Sequence, residues 1–182
     1  MYSVNFVAIN LKNMTRILTI YCLALLITAC QSLPQVDTHA PAITTVTLNQ
    51  DFPIRGYRSN EYIQGGEIQP YESISQYYPH CKLELREIAD IERIVKPQTF
   101  TVTRIYRQDN FVGFRKIMLA GDGDAGLIMS TTYLYLQSEK QPDIFRLSCM
   151  QQDESFYAHH VTVEEMQNTL GELMTLSIRD KE

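Results

Sequence analysis

From residue 81 onward apolar and polar positions alternate, and a period of two marks strands with one buried face. In Cys81-Lys-Leu-Glu-Leu-Arg86, Cys81, Leu83 and Leu85 share one face, with Lys82, Glu84 and Arg86 opposite. In Phe145-Arg-Leu-Ser-Cys149, the same pattern puts Phe145, Leu147 and Cys149 together, against Arg146 and Ser148. Strands are predicted over Cys81–Glu87, Gln98–Arg107 (introduced by Pro97), Phe111–Leu119, Met129–Ser138 and Asp143–Gln152. Ile43–Leu48 is β-branched and can be a strand in its own right, and one short strand is expected near Gly66–Tyr71. Ile88–Ile94 fits a helical turn as well as a loop. Short connections favour antiparallel neighbours, because a parallel sheet needs crossover helices.

One helix is signalled near the C-terminus. Thr162-Val-Glu-Glu165 is a capping box, Val163, Met166 and Leu170 follow at helical spacing, and Gly171 is a left-handed stop. Leu173, Leu176 and Ile178 either extend this helix or form a last strand. The fold expected is mainly β, of α+β type: an antiparallel β-sheet meander with a C-terminal helix packed on one face. Residues 54–182 would carry it.

The chain before residue 54 has a different character. Ile17–Ile27 is an apolar run of eleven residues, preceded by Lys12 and Arg16. A bilayer-spanning helix needs about 20 residues, so this length fits a signal-peptide core. Met14 offers a second, more compact start to the same leader. The run ends in Leu26-Ile-Thr-Ala-Cys30, which resembles the bacterial lipobox. The resemblance implies a leader of residues 1–29 and a new N-terminus at Cys30, with diacylglycerol on its thiol and a fatty acyl group such as palmitate on its amine. Gln31 follows in place of the Asp that, in enterobacterial lipoproteins, favours inner-membrane retention. The resemblance therefore implies a periplasm-facing anchor in the outer membrane. Residues 30–53, with Pro34, Pro41 and Pro53, read as the lipidated end and a tether.

Processing would divide the four cysteines. Cys22 leaves with the leader and Cys30 carries lipid, while Cys81 and Cys149 remain in an oxidising compartment. Both lie on the core side of predicted strands, so a disulfide is expected, with two buried free thiols as the alternative. No Cys-x-x-Cys motif suggests redox work.

Charge removes one function class. The chain carries −5, and from Cys30 onward fourteen basic residues face twenty-one acidic ones, a net −7. A nucleic-acid partner, which needs a basic footprint, is not expected.

Candidate chemistry is sparse. Asp122 and Asp124 in Gly121-Asp-Gly-Asp-Ala-Gly126 resemble the start of a calcium loop, but Ala125 holds the third ligand position and the bidentate Glu is missing. A complete EF-hand is excluded, a solvated glycine-rich turn is the plainer reading, and no metal site is assigned. His80 and the pair His159-His160 meet only if the fold brings them together. No nucleophile elbow, zinc-protease motif or phosphate loop occurs, so no catalytic residue and no cofactor are assigned.

The remaining feature is Tyr57, Tyr62, Tyr71, Tyr77 and Tyr78, all within residues 54–80. These rings either cover the sheet edge and core or form a contact surface for a protein or glycan. Residues 77–182, with Tyr78-Pro-His-Cys81 and Leu147-Ser-Cys149, are similar to small proteobacterial envelope lipoproteins of no assigned activity. The function expected is a non-catalytic, lipid-anchored envelope protein that acts through other envelope proteins. A binding module for a small ligand, calcium or glycan is the alternative, and an envelope hydrolase the third reading.

Overall fold

The computed structural model describes residues 42–112 and 126–178. The expected leader, Cys30, the segment to residue 41, Asp122, Asp124 and most of the expected strand Phe111–Leu119 lie outside the described residues.

The described chain is mainly β. Strands β1 (Ile43–Leu48), β3 (Asn60–Gln64), β4 (Glu67–Gln69), β5 (His80–Leu85), β7 (Gln98–Phe111), β8 (Leu127–Gln137), β9 (Ile144–Glu154) and β10 (Met174–Ile178) form one curled antiparallel sheet. Its order is β10-β1-β7-β8-β9-β5-β3-β4. β7, β8 and β9 are a true meander, whereas β5 joins β9, and β1 joins β7, through contacts distant in sequence. Two short strands, β2 (Phe52–Ile54) and β6 (Arg93–Val95), make a separate pair. Pro53 is tolerated there because a two-stranded ribbon leaves its missing donor unneeded.

The β-branched run Ile43–Leu48 forms the strand its residues allow, so the range read as tether does not extend through it. Ile43–Leu48 is built into the sheet between β10 and β7, with Ile43, Val46 and Leu48 buried. Its partners come from residues 98–101 and 174–178, so no local pattern announces the pairing. The Ile88–Ile94 segment holds no helix among the described residues; it bends into β6, which pairs with β2.

The helix α1 (Val163–Leu170) starts at the predicted box. The Thr162 hydroxyl accepts from the Glu165 N–H at 3.2 Å, and the Glu165 carboxylate accepts from the Thr162 N–H at 2.8 Å. Met166 and Leu170 are fully buried in a core that includes Ile63, Leu83, Phe100, Leu134 and Leu147. After Gly171 the chain becomes β10, which settles the two readings of Leu173–Ile178 in favour of a strand.

Two glycines permit a close approach of the β3–β4 turn to the end of the helix. Gly65 and Gly66 both have positive φ, as a two-residue hairpin turn between β3 and β4 requires. The Gly66 N–H donates to the Thr169 carbonyl at 2.9 Å, and a β-carbon on Gly171 would come within 2.8 Å of the Gly66 Cα. The outer edge of β10 is also covered. The Gln167 side chain donates to the Met174 carbonyl at 2.8 Å and accepts from the Leu176 N–H at 2.9 Å, standing in for a neighbouring strand.

Cys81 and Cys149 face each other directly across β5 and β9, with sulfurs 2.08 Å apart, a disulfide. Both are fully buried beside Leu83 and Leu147.

Candidate contact face on the outer side of the sheet

The strands that bury Leu83, Leu134 and Leu147 inward turn a different set of residues outward. Cross-strand register aligns them in two rows. Arg104, Tyr135, Arg146, Glu84 and Asn60 are successive direct partners across β7, β8, β9, β5 and β3. Tyr106, Tyr133, Ser148, Lys82 and Tyr62 form the row beside it. Side chains directly opposite on one face lie about 4.5–5.5 Å apart at Cβ, which is why each row interlocks.

Rings and guanidinium groups pack on one another within and between these rows. The Arg104 guanidinium lies 3.9 Å from the Tyr135 ring centre, and Arg146 lies 4.4 Å from that of Tyr133. Tyr106 stacks on Tyr133 with centres 6.0 Å apart and planes 18° from parallel. Phe145 meets Tyr135 edge-on at 5.5 Å and carries Arg86 at 5.2 Å. This corrects the alternation expected for β9. Its register against β5 shifts between Glu84 and Leu85, so Ile144 takes the core position and Phe145 joins the outer rings. Each cation–ring contact contributes on the order of 0.5–1 kcal/mol at an exposed site, enough to order a side chain without deciding the fold.

Glu84 organises the centre. Its carboxylate accepts from Arg146 Nε at 2.8 Å and Nη2 at 3.3 Å, and from Ser148 Oγ at 2.5 Å, with Lys82 Nζ at 3.5 Å. Burial alone would push this carboxyl up. The hydrogen bonds from Arg146 and Ser148, and the charges of Lys82 and Arg146, outweigh burial and hold it below the ordinary carboxylate range. The outer face thus presents Lys82 and Arg146 around one carboxylate, with Arg86 and Arg104 on the neighbouring rings, on a chain that is acidic as a whole.

The five tyrosines of the entry segment do not enter the core. Tyr57, Tyr71, Tyr77 and Tyr78 are exposed, which rules out core packing for them. Tyr62 lies on the second outer row, 5.3 Å from the Tyr71 ring and 6.3 Å from His80. His80 is buried, which pushes its pKa down, and its Nδ1 is 2.9 Å from the Tyr78 carbonyl. Tyr57 stands apart at positive φ, its N–H donating to the Ala89 carbonyl.

The histidines do not converge. His159 lies 3.7 Å from Glu165 and His160 lies 3.5 Å from Asp109, while His80 sits among tyrosines. No group of three or more metal-ligating side chains occurs among the described residues. Ser130, Asp109 and His160 do meet, in an order that does not activate the serine. The Ser130 hydroxyl donates to Asp109 Oδ1 at 2.6 Å, and His160 approaches that same oxygen. A nucleophilic serine needs the imidazole between itself and the carboxylate.

The sequence reading missed Arg104, Tyr106, Tyr133, Tyr135, Arg146 and Glu84 as a group. Their signal was the outward half of each alternation, Arg104-Ile-Tyr106, Tyr133-Leu-Tyr135 and Arg146-Leu-Ser148, which needs register to become a surface. No protein-family model, curated protein or solved structure matches the chain.

Proposed function

We propose that this chain is a lipid-anchored envelope protein that faces the periplasm from the outer membrane and acts without catalysis. In this reading Cys30 holds it to the membrane, and the arginine–tyrosine face of the sheet contacts another envelope protein. The observation that carries the contact role is the ordered face itself. Arginine and tyrosine are among the residues enriched at binding hot spots, and here they are fixed in rows by register and by Glu84. Prior ordering lowers the entropic cost of binding, since side chains need not be immobilised on contact.

The anchor is tested by acyl labelling in cells: Cys30→Ser is expected to abolish it, and persistent labelling contradicts the anchor. The contact role is tested with a photo-reactive residue in place of Tyr106, in the intact envelope. A discrete cross-linked protein that disappears with Arg104→Ala supports the reading, and no product at this position overturns it. The exposed Tyr106 stacked on Tyr133 favours a glycan as the second reading, because sugar rings lie flat on such a platform. Saturable binding of glycan fragments, lost with Tyr106→Ala, would favour it over the protein partner.

A further inference from the structure

We infer that the end of the sheet carrying Phe111, Phe156 and Tyr157, flanked by Tyr77 and Tyr78, rests in the headgroup layer of the bilayer; this builds on the lipid-anchor reading. All five rings are exposed, Phe111 at 73% and Phe156 at 74%. Phe111 and Phe156 are joined through Gly126. The Phe111 ring lies over Gly126, where a β-carbon would come within 3.1 Å of it, and the Gly126 carbonyl accepts from the Ser155 N–H at 2.8 Å. The Gln152 N–H donates to the Gln76 carbonyl, which brings Tyr77 and Tyr78 to the same end of β9.

The direction of β1 points toward this end, within reach of Cys30. β1 runs antiparallel to β7, so its first residue, Ile43, is turned toward the end where β7 finishes at Phe111. Phe111 lies about eight residues beyond the level of Ile43, or roughly 26 Å along the strand. The twelve residues between Cys30 and Ile43 can span at most about 45 Å, so a lipid on Cys30 can share a surface with Phe111. The composition agrees, since amphipathic aromatic rings collect at headgroup depth. At the opposite end the exposed Ile88 and Ile91 are interleaved with Glu87, Asp90 and Glu92, which disfavours immersion there. Asp153 and Glu154 lie beside the ring-bearing end, so the contact depends on ring burial rather than attraction to anionic lipid.

The chain contains no tryptophan, which gives a clean test. Single substitutions Phe111→Trp, Phe156→Trp and Ile91→Trp are made in the full acylated chain. Each protein is reconstituted into phosphatidylcholine vesicles whose acyl chains are brominated just below the headgroup. The expected result is severalfold quenching at positions 111 and 156 and little at 91. All three sites are exposed, so the fold tolerates the exchange. Mass analysis of Cys30 separates the two readings. An acylated chain with unquenched tryptophan at 111 and 156, or with equal quenching at 91, overturns the membrane contact alone. A chain without acyl groups overturns the anchor and this inference with it.

Discussion

The two faces of β5, β8 and β9 are made by the same strands and are built differently. Inward, Leu83, Leu134, Leu147 and the Cys81–Cys149 bridge form a dry layer in which every side chain is fully buried. Outward, Lys82, Glu84, Tyr133, Tyr135, Arg146 and Ser148 form a charged and aromatic layer. Each face also has a buried carboxylate paired with an arginine. Glu61, inward on β3, accepts from Arg55 Nε at 2.6 Å and Nη2 at 2.7 Å. Glu84, outward on β5, is bound by Arg146, Ser148 and Lys82. Burial, a covalent link and the Arg55–Glu61 pair hold the inner face. The outer face is held by directional contacts. Stability should therefore reside inward and contact outward.

The largest effect tests the inner face. Replacing both Cys81 and Cys149 by serine opens a bridge across 68 residues, and a loss of about 4 kcal/mol is expected from loop closure. Denaturant unfolding of the oxidised parent against the double variant measures it. Leu147→Ala follows: removing a fully buried side chain between Leu83 and Leu134 should cost about 3 kcal/mol, read from the same unfolding midpoint.

Crossing to the outer face, Glu84→Gln should cost about 2 kcal/mol at neutral pH, since it removes charge-assisted hydrogen bonds and strands part of Arg146. It also carries a pH signature. The folded carboxyl sits below its unfolded value, so its contribution is present above the unfolded pKa and is lost as pH falls through the folded one. The parent should lose stability over that acid window more steeply than Glu84→Gln. Identical acid limbs would show that Glu84 contributes no linkage.

Legibility divided along the same line. The inner face was readable because its signal is local: Cys81, Leu83 and Leu147, Cys149 alternate within single strands, and Thr162 with Glu165 caps a helix three residues apart. Ile43–Leu48 reads as a strand from its β-branched residues, but its place in the sheet does not, because its partners lie fifty or more residues away. The outer face failed for the related reason that Arg104, Tyr135, Arg146 and Glu84 become neighbours only through register across four strands. The Phe145 position shows how little is needed to upset alternation: one register shift moved its ring to the other face.

The smallest stability effect belongs to Arg104. Its guanidinium rests on Tyr135 at the surface, and Arg104→Ala should cost less than about 1 kcal/mol. Combined with Tyr106→Ala, it strips the exposed part of the contact face and leaves every core residue in place. The most direct test measures this double variant twice, by unfolding midpoint and by the yield of a photo-cross-linked partner from a reactive group at position 133 in the intact envelope. The account predicts a nearly unchanged midpoint and a lost partner; a fallen midpoint with the partner retained would contradict it.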